Sequence, residues 1–302
     1  MISIIGAGKL GTNLAYILAG KGTDDILLCD IVKSLPQGEA LDLMQSYGVH
    51  PGIKIRGTNE IRDIKGSELV VVTAGLGRKP GMTRLDLMEK NSEIIKDIAG
   101  KIDEYSPDSV IIVVTNPVDI MTYIAQKASG IPKERVIGMG SLLDSLRFSY
   151  FASEHLKVPK SEIEALVIGE HGENMSLLFS QSFYKGKPLS ELLDMKTREE
   201  ILDKTIKGGK EVIGMKGATI HAPVSAIAMM AECVLEDQRK TIPACCCLNG
   251  EYGYEGIYIG VPAVLGKNGA EKITELDLEK EEKERFSRGA EKIKDITASW
   301  KN

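Results

Sequence analysis

Length, composition and charge limit the kinds of protein that this chain can be. It has 302 residues, 43% hydrophobic and 27% charged, and a formal net charge of −5. One hydrophobic core stops growing near roughly 250–300 residues, so we expect two domains, over residues 1–140 and 141–302. The acidic balance argues against a nucleic-acid partner, because a phosphate backbone is bound by surplus cations.

From the sequence we expect neither an export signal nor a membrane-spanning segment. The first residues run directly into a glycine turn, and apolar runs such as Val110–Val114 are far shorter than the roughly 20 residues of a membrane helix. We therefore expect a soluble cytoplasmic chain without a membrane partner. The run Cys245–Cys247 is interpreted as small apolar residues of a buried strand in a reducing compartment, not as disulfides or metal ligands.

Taken in chain order, the first 140 residues alternate short apolar runs with amphipathic segments. The runs predicted as buried strands are Ile2–Ile5, Ile26–Cys29, Leu69–Thr73 and Val110–Thr115. The segments with helical periodicity are Leu10–Ala19, Gln37–Gln45 and Leu85–Lys101. Strands that alternate with helices predict parallel βαβ units, and therefore an α/β fold with a doubly wound parallel sheet.

The second half has a different pattern, which predicts an α+β substrate-binding domain. Its predicted helices are Arg147–His155, Thr197–Lys216, Ala222–Glu236 and Leu276–Lys301. Its predicted β segments are Ile163–Ile168, Leu177–Tyr184, Thr241–Leu248 and Gly256–Val264. Within the last helix we interpret the acidic run Glu279–Glu284 as a solvated face.

A glycine-rich turn follows the first strand and opens the first helix. Its residues have the spacing G-x-G-x-x-G and are Gly6, Ala7, Gly8, Lys9, Leu10 and Gly11. In this context the spacing predicts a Rossmann-type site with a pyrophosphate at the helix N-terminus. Asp30 lies at the end of the second strand. A carboxylate there would accept hydrogen bonds from the ribose hydroxyls and repel a 2′-phosphate, so NAD is favoured over NADP. The alternative is a structural turn and a strand-end aspartate without a ligand.

Cationic groups follow the next predicted strand. The segment Thr73–Arg84 holds Arg78 and Arg84 among several glycines. This composition is typical of a mobile lid that brings donors onto a bound anion, and also of an ordinary exposed loop.

Further polar residues could form a catalytic group. Asp144 and Arg147 lie one turn apart on a predicted helix and share a face, an arrangement that a surface ion pair would also give. Asn116 lies at the end of a strand, and its side-chain amide can both donate and accept hydrogen bonds. His171 lies in a glycine-flanked segment, where it could equally be an isolated loop residue.

Together these motifs resemble the lactate/malate dehydrogenase family over essentially the whole chain, and within it the lactate-dehydrogenase-like malate dehydrogenases. The motifs that carry the resemblance are Gly6–Gly11, Asp30, Arg78–Arg84, Thr115–Pro117, Leu143–Arg147, Gly169–Gly172, Tyr252–Gly253, Gly260–Pro262 and Leu265–Gly266. Glu173 departs from the pattern, because many relatives have aspartate there.

The resemblance implies a role for each matching residue. His171 would exchange the proton, Asp144 would orient it, and Arg84 would polarise the reacting carbonyl. Arg147 would bind the C1 carboxylate as a bidentate fork. The resemblance further implies substrate contacts at Asn116 and Thr219 and cofactor contacts at Asn91, Val114, Thr115 and Asn116.

Arg78 bears on the choice of substrate. The matching lid residue is usually glutamine in lactate enzymes and arginine in malate enzymes, and a second guanidinium suits a dicarboxylate. The resemblance therefore implies NAD-dependent interconversion of malate and oxaloacetate in a homodimer or homotetramer. The alternatives are an L-lactate dehydrogenase, an NAD-dependent glycosidase, for which the sequence offers no metal site, and a non-catalytic NAD-binding sensor.

Overall fold

The computed structural model of the chain describes residues 1–77 and 85–300, together with the main chain of Arg84. The strands of the first half are β1 (Ile2–Ile5), β2 (Ile26–Cys29), β3 (Ile55–Thr58), β4 (Leu69–Val72), β5 (Val110–Val113) and β6 (Val136–Gly138). The helices among them are α1 (Lys9–Lys21), α2 (Leu35–Gln45), α3 (Arg84–Tyr105) and α4 (Val118–Ser129).

These strands form a parallel sheet in the order β3-β2-β1-β4-β5-β6. Every residue of β1, β2, β4 and β5 is buried, as expected for strands that helices cover on both faces. The chain reverses direction across the sheet between β1 and β4, and this switch point is where ligands bind in doubly wound folds. The predicted α/β fold of Rossmann type is confirmed.

The second half contains helices α5 (Ser141–Leu156), α6 (Leu189–Leu192), α7 (Met195–Lys216), α8 (His221–Leu235) and α9 (Lys280–Ser299). Its strands are β7 (Ile163–Glu164), β8 (Val167–Ile168), β9 (Ser176–Leu177), β10 (Phe183–Tyr184), β11 (Lys187–Pro188), β12 (Lys240–Asn249), β13 (Glu255–Gly266) and β14 (Gly269–Ile273). Phe148, Val167 and Ile201 belong to a second hydrophobic cluster, separate from the large core around the sheet.

The long strands of the second half extend the first sheet. β12 pairs antiparallel with β6, with Cys245 opposite Gly138, and β13 and β14 follow outward. Among the described residues the sheet therefore has nine strands, in the order β14-β13-β12-β6-β5-β4-β1-β2-β3. The two halves share this sheet, which crosses the position where we expected a domain boundary.

Several elements differ from the predictions in extent. α5 begins at Ser141, six residues before the predicted start at Arg147. The predicted strand Ile163–Ile168 is two short strands in separate sheets, and Leu177–Tyr184 contains a 3₁₀ turn at Phe179–Gln181. The acidic run is not uniformly solvated, because Glu282 is only 6% exposed.

The cysteine run lies in β12, as expected. Cys245 and Cys246 are buried, Cys247 is half-buried, and none of the cysteines forms a disulfide. Among the residues that the structure describes, no group of histidine, cysteine, aspartate and glutamate side chains is arranged to hold a metal ion. No described helix combines the length and the apolarity needed to cross a membrane.

Candidate active site

The glycine-rich turn joins β1 to α1 through two close contacts. Gly6 has a φ of 111°, in the region that favours glycine. A Cβ on Gly11 would lie 1.9 Å from the main-chain oxygen of Gly6, so only glycine lets the helix approach the turn this closely. Around Gly8, by contrast, a Cβ would meet nothing within 4 Å. The turn is thus packed at its ends and open in its middle, which fits a pyrophosphate approaching Gly8.

The N-terminus of α1 offers donors to such an anion. Gly8 is the N-cap residue and supplies no side-chain cap, so the first helical N–H groups have no side-chain partner there. Of the other predicted contacts in this turn, Ala7 is buried, Leu10 is half-buried and Lys9 is exposed.

Asp30 lies beside the turn, directly after β2. Its Oδ2 accepts from the N–H of Ala7 at 2.8 Å, and its Oδ1 accepts from the N–H of Val32 at 2.9 Å. The carboxylate is therefore held in place at the mouth of the predicted nucleotide site. Ile31, which the sequence analysis did not select, is 96% exposed next to it. An exposed isoleucine beside the predicted ribose-binding carboxylate suits contact with a flat base.

The ends of β4 and β5 are tied together by side chains. Thr115 Oγ1 donates to the main-chain oxygen of Ala74 at 2.6 Å, and Val114 is buried beside it. Asn91 accepts from the N–H of Leu76 at 2.8 Å and donates to the main-chain oxygen of Asn116 at 2.8 Å. This network fixes the strand-end loops and leaves the Asn116 residue exposed at the edge of the sheet.

His171, Asp144 and Arg147 form one hydrogen-bonded group. The fully buried Asp144 accepts from His171 Nδ1 at 2.6 Å through Oδ2 and from Arg147 Nη1 at 3.1 Å through Oδ1. Asp144 and Arg147 are on α5, whereas His171 follows β8, so the group joins distant parts of the chain. A surface ion pair and an isolated loop histidine are both excluded by this burial and bonding.

The surroundings of His171 favour its charged form. Burial lowers the pKa of His171, but the charge and hydrogen bond of Asp144, with the charge of Asp119, outweigh burial and raise the pKa above its usual value. The imidazole is thus prepared to carry a proton. Gly140, after β6, packs against the Cβ of His171, which places the ring at the carboxyl-end edge of the parallel strands.

Asp119 is a site residue that the sequence analysis missed. It is buried on α4, and its Oδ2 accepts from the main-chain N–H of His171 at 2.9 Å. Burial raises the pKa of Asp119 to about 6, against the opposing effect of His171. The sequence holds a weak signal for it, since Asp119 follows the strand-end amide Asn116 by three residues.

The structure locates only some of the remaining predicted substrate residues. The side chain of Arg147 packs against α7, where a Cβ on Gly209 would lie 2.9 Å from Nη2. Thr219 is half-buried between α7 and α8. Arg78 and the side chain of Arg84 lie outside the described residues, so the structure gives no geometry for the predicted lid.

Comparisons with known families identify the family of the chain. Residues 1–138 match the family model described as the lactate/malate dehydrogenase NAD binding domain. Residues 141–302 match the model of the lactate/malate dehydrogenase alpha/beta C-terminal domain.

Individual relatives match over nearly the whole chain. A malate dehydrogenase of Methanosarcina mazei is 46% identical, covering 97% of this chain and 96% of its own. The malate dehydrogenase structure from Aeropyrum pernix is 40% identical with a TM-score of 0.95, covering 99% and 98%. A lactate dehydrogenase structure from Cryptosporidium parvum, complexed with lactic acid and nicotinamide adenine dinucleotide, is 36% identical with a TM-score of 0.93, covering 98% and 96%. The chain therefore belongs to the lactate/malate dehydrogenase family of NAD-dependent oxidoreductases.

Proposed function

We propose that this chain is a malate dehydrogenase, which reversibly transfers a hydride between NAD and the malate/oxaloacetate pair. The observation that carries the proposal is the imidazole of His171 bonded to the buried carboxylate of Asp144, with Arg147 on the same carboxylate. This arrangement supplies an acid–base group and a carboxylate-binding cation side by side. Curated malate dehydrogenases that are 41–46% identical over nearly the full length support it.

Proton transfer is assigned to His171. Because Nδ1 faces Asp144, the ring presents Nε2 to the substrate, and in reduction protonated His171 would donate from Nε2 to the carbonyl oxygen. In malate oxidation neutral His171 would accept the hydroxyl proton at the same atom. When bound, the nicotinamide cofactor supplies or accepts the hydride. Asp144 fixes the tautomer and stabilises the imidazolium, as carboxylate partners of catalytic histidines do.

Substrate binding is assigned to residues around this group. Arg147 would hold the C1 carboxylate, and Gly209 leaves room for its guanidinium. We assign polarisation of the carbonyl to Arg84 and contact with the same oxygen to Asn116. Thr219 would form part of the pocket wall.

Cofactor binding is assigned to the turn and the strand ends. The residues that we propose to line it are Gly6, Ala7, Gly8, Lys9, Leu10, Gly11, Asp30, Asn91, Val114, Thr115 and Asn116. Asp30 would accept from the adenosine ribose hydroxyls, and Ile31 would contact the base. Asn91 would contribute to cofactor binding by holding the loops after β4 and β5 in place.

The choice of oxaloacetate over pyruvate is assigned to Arg78. Oxaloacetate has two carboxylates, so Arg147 and Arg78 would each neutralise one. Pyruvate has a methyl group at that end, and closing the lid on it would bury an unpaired guanidinium, which costs about 3–5 kcal/mol. L-lactate dehydrogenase remains the second candidate, because a lactate dehydrogenase is 36% identical to this chain.

We further propose a homodimer or homotetramer in the cytoplasm, with a division of the chain near residue 140. Exposed apolar side chains on or just after α1, α2 and α8 favour association, since such surfaces mark subunit contacts. They are Tyr16, Leu41, Met44, Tyr47 and Met229.

The first experiment measures NADH oxidation by the wild type and the His171→Asn variant with oxaloacetate, with pyruvate and with NADPH as controls. We expect oxaloacetate and NADH to be preferred in the wild type, and the variant to lose about 1,000-fold or more in kcat because the proton donor is gone. NADH binding, followed by fluorescence, should survive. A wild type that binds NADH but turns over neither keto acid would identify a sensor instead.

A further inference from the structure

The loop that carries His171 is covered by one face of α9. This loop, residues 169–175, connects β8 to β9. The residues of α9 that meet it or its flanks are three, four and three positions apart, the spacing of one helical face. We call them the α9 stripe, and they are Glu282, Arg285, Gly289 and Lys292.

Lys292 reaches the residue next to the catalytic histidine. Its Nζ lies 2.5 Å from Oε1 of Glu170, whose side chain is largely buried. The other carboxylate oxygen of Glu170 accepts from Asn174 Nδ2 at 2.6 Å. The ion pair thus fixes a side chain that already spans the loop.

Arg285 bonds to the main chain of the loop. Its Nε donates to the oxygen of Met175 at 2.9 Å, and its Nη2 donates to the oxygen of Glu173 at 2.7 Å. One planar guanidinium therefore holds two carbonyl groups in a fixed relation, which a flexible ammonium group does less well.

Gly289 lets the helix come close enough for these contacts. A Cβ there would lie 3.0 Å from the Cβ of Glu170 and 3.2 Å from its main-chain nitrogen. A methyl group at this position would press on the backbone of the loop directly beside His171. The absence of a side chain is thus part of the fit between helix and loop.

Glu282 anchors the start of the stripe. Its carboxylate accepts from the hydroxyl of Ser180 at 2.9 Å, and its main-chain oxygen accepts from Ser176 Oγ at 2.9 Å. The carboxylate of Glu282 also accepts a hydrogen bond from the main-chain N–H of Glu279 and so completes the capping box of α9. The beginning of the helix and the segment that leaves the loop are therefore fixed by the same residue.

We propose that the α9 stripe positions His171 for proton transfer, by holding the loop so that the imidazole stays on Asp144. Asp119 and Asp144 hold His171 from the core, whereas the stripe holds its neighbour Glu170 from outside. The residues of the stripe are positioning residues and touch no reacting atom. This inference rests on the proposed function, since it assigns the proton transfer to His171.

The test compares Gly289→Ala with Gly100→Ala, a helical glycine on α3 where a Cβ would meet nothing within 4 Å. We expect Gly289→Ala to lower kcat for oxaloacetate reduction about 10-fold, because small displacements of a catalytic group are costly. NADH affinity should be unchanged. The alanine at position 100 should leave both values at the wild-type level.

Three lysine variants separate the ion pair from general stability. Lys292→Met should lower kcat in the same way, Lys292→Arg should restore most of it, and Lys294→Met, in an exposed pair with Glu291, should have no effect. If Gly289→Ala does not fold, the lysine variants decide. A wild-type kcat and pH profile in Lys292→Met, or no rescue by Lys292→Arg, would overturn the proposal.

A readout without turnover distinguishes this inference from the function itself. The chain has four histidines, so the His171 ring can be assigned in NMR titrations by comparison with His171→Asn. In the charge-neutral variant Gly289→Ala, a looser contact with Asp144 should lower the pKa of His171. An unchanged pKa there would contradict the stripe even if the substrate proves to be another keto acid, and a wild type without keto-acid reduction would contradict only the function.

Discussion

Asp119 illustrates how a single buried charge tunes the residue beside it. The carboxylate is held in the core, binds the main-chain N–H of His171 and helps to raise the pKa of the imidazole. Asparagine at this position would keep an acceptor for the N–H and remove the charge. The effect of the charge is therefore open to direct measurement.

We expect Asp119→Asn to lower the pKa of His171. Oxaloacetate reduction needs the protonated ring and is lost as the pH rises through that pKa, so the alkaline fall in kcat/KM should move to lower pH. Malate oxidation needs the neutral ring, and its rise should move in the same direction. Profiles identical to those of the wild type would contradict this. The exposed Asp103→Asn serves as the matched control.

The prediction for substrate choice concerns Arg78. Arg78→Gln should lower kcat/KM for oxaloacetate about 100-fold, because a charge-assisted hydrogen bond contributes about 1.5–3 kcal/mol. Pyruvate turnover should be retained or increased, since no unpaired cation is buried. Rates on both keto acids give the ratio, and a ratio equal to that of the wild type would exclude Arg78 as the specificity residue.

At the residue level, motifs carried the predictions, and the roles assigned to the residues remain predictions. The histidine–aspartate–arginine group was inferred from a resemblance, and the structure brings these residues into contact. Asp119 has its partner 52 positions away in the chain, a relation that no local pattern contains. Glu282 was taken as solvated because its neighbours are charged, whereas its burial depends on Ser180 in a distant segment.

At the scale of elements, the β1–α1 turn has one glycine that packs against the backbone, Gly11, and one that is open to a ligand, Gly8. Gly11→Ala would force a methyl group against the oxygen of Gly6, and overpacking of this kind costs about 1–3 kcal/mol. We expect a lower Tm together with weaker NADH binding. Gly8→Ala, where a Cβ meets no atom, should keep the Tm and weaken only NADH binding. Equal Tm values for both variants would argue against the close contact.

Elements with a continuous apolar run, such as β1 and β2, or with clear helical periodicity, such as α7, were predicted almost to the residue. β3 was missed because its sequence includes arginine and glycine, and β6 because it has only three residues. Both are strands by virtue of the neighbours that they pair with. The split of Ile163–Ile168 has the same origin, since its two ends pair with different partners.

At the scale of the molecule, we expect self-association through the exposed apolar side chains on α1, α2 and α8. Leu41 on α2 is 61% exposed, and Leu41→Glu would place a charge in such a contact. Sedimentation should give an oligomer for the wild type and a smaller species for the variant. Lys65→Glu, a charge change in an exposed turn, should sediment like the wild type. A monomeric wild type would contradict the proposal.

The antiparallel pairing of β12 with β6 has a consequence for the nascent chain during translation. On the ribosome the parallel strands emerge first, and the outer side of β6 has no hydrogen-bonding partner until β12 has been made. While residues 139–239 are being synthesised, the incomplete sheet therefore exposes main-chain groups of β6 that could pair with another extended peptide. A chaperone that shields the growing edge would reduce aggregation of the nascent polypeptide.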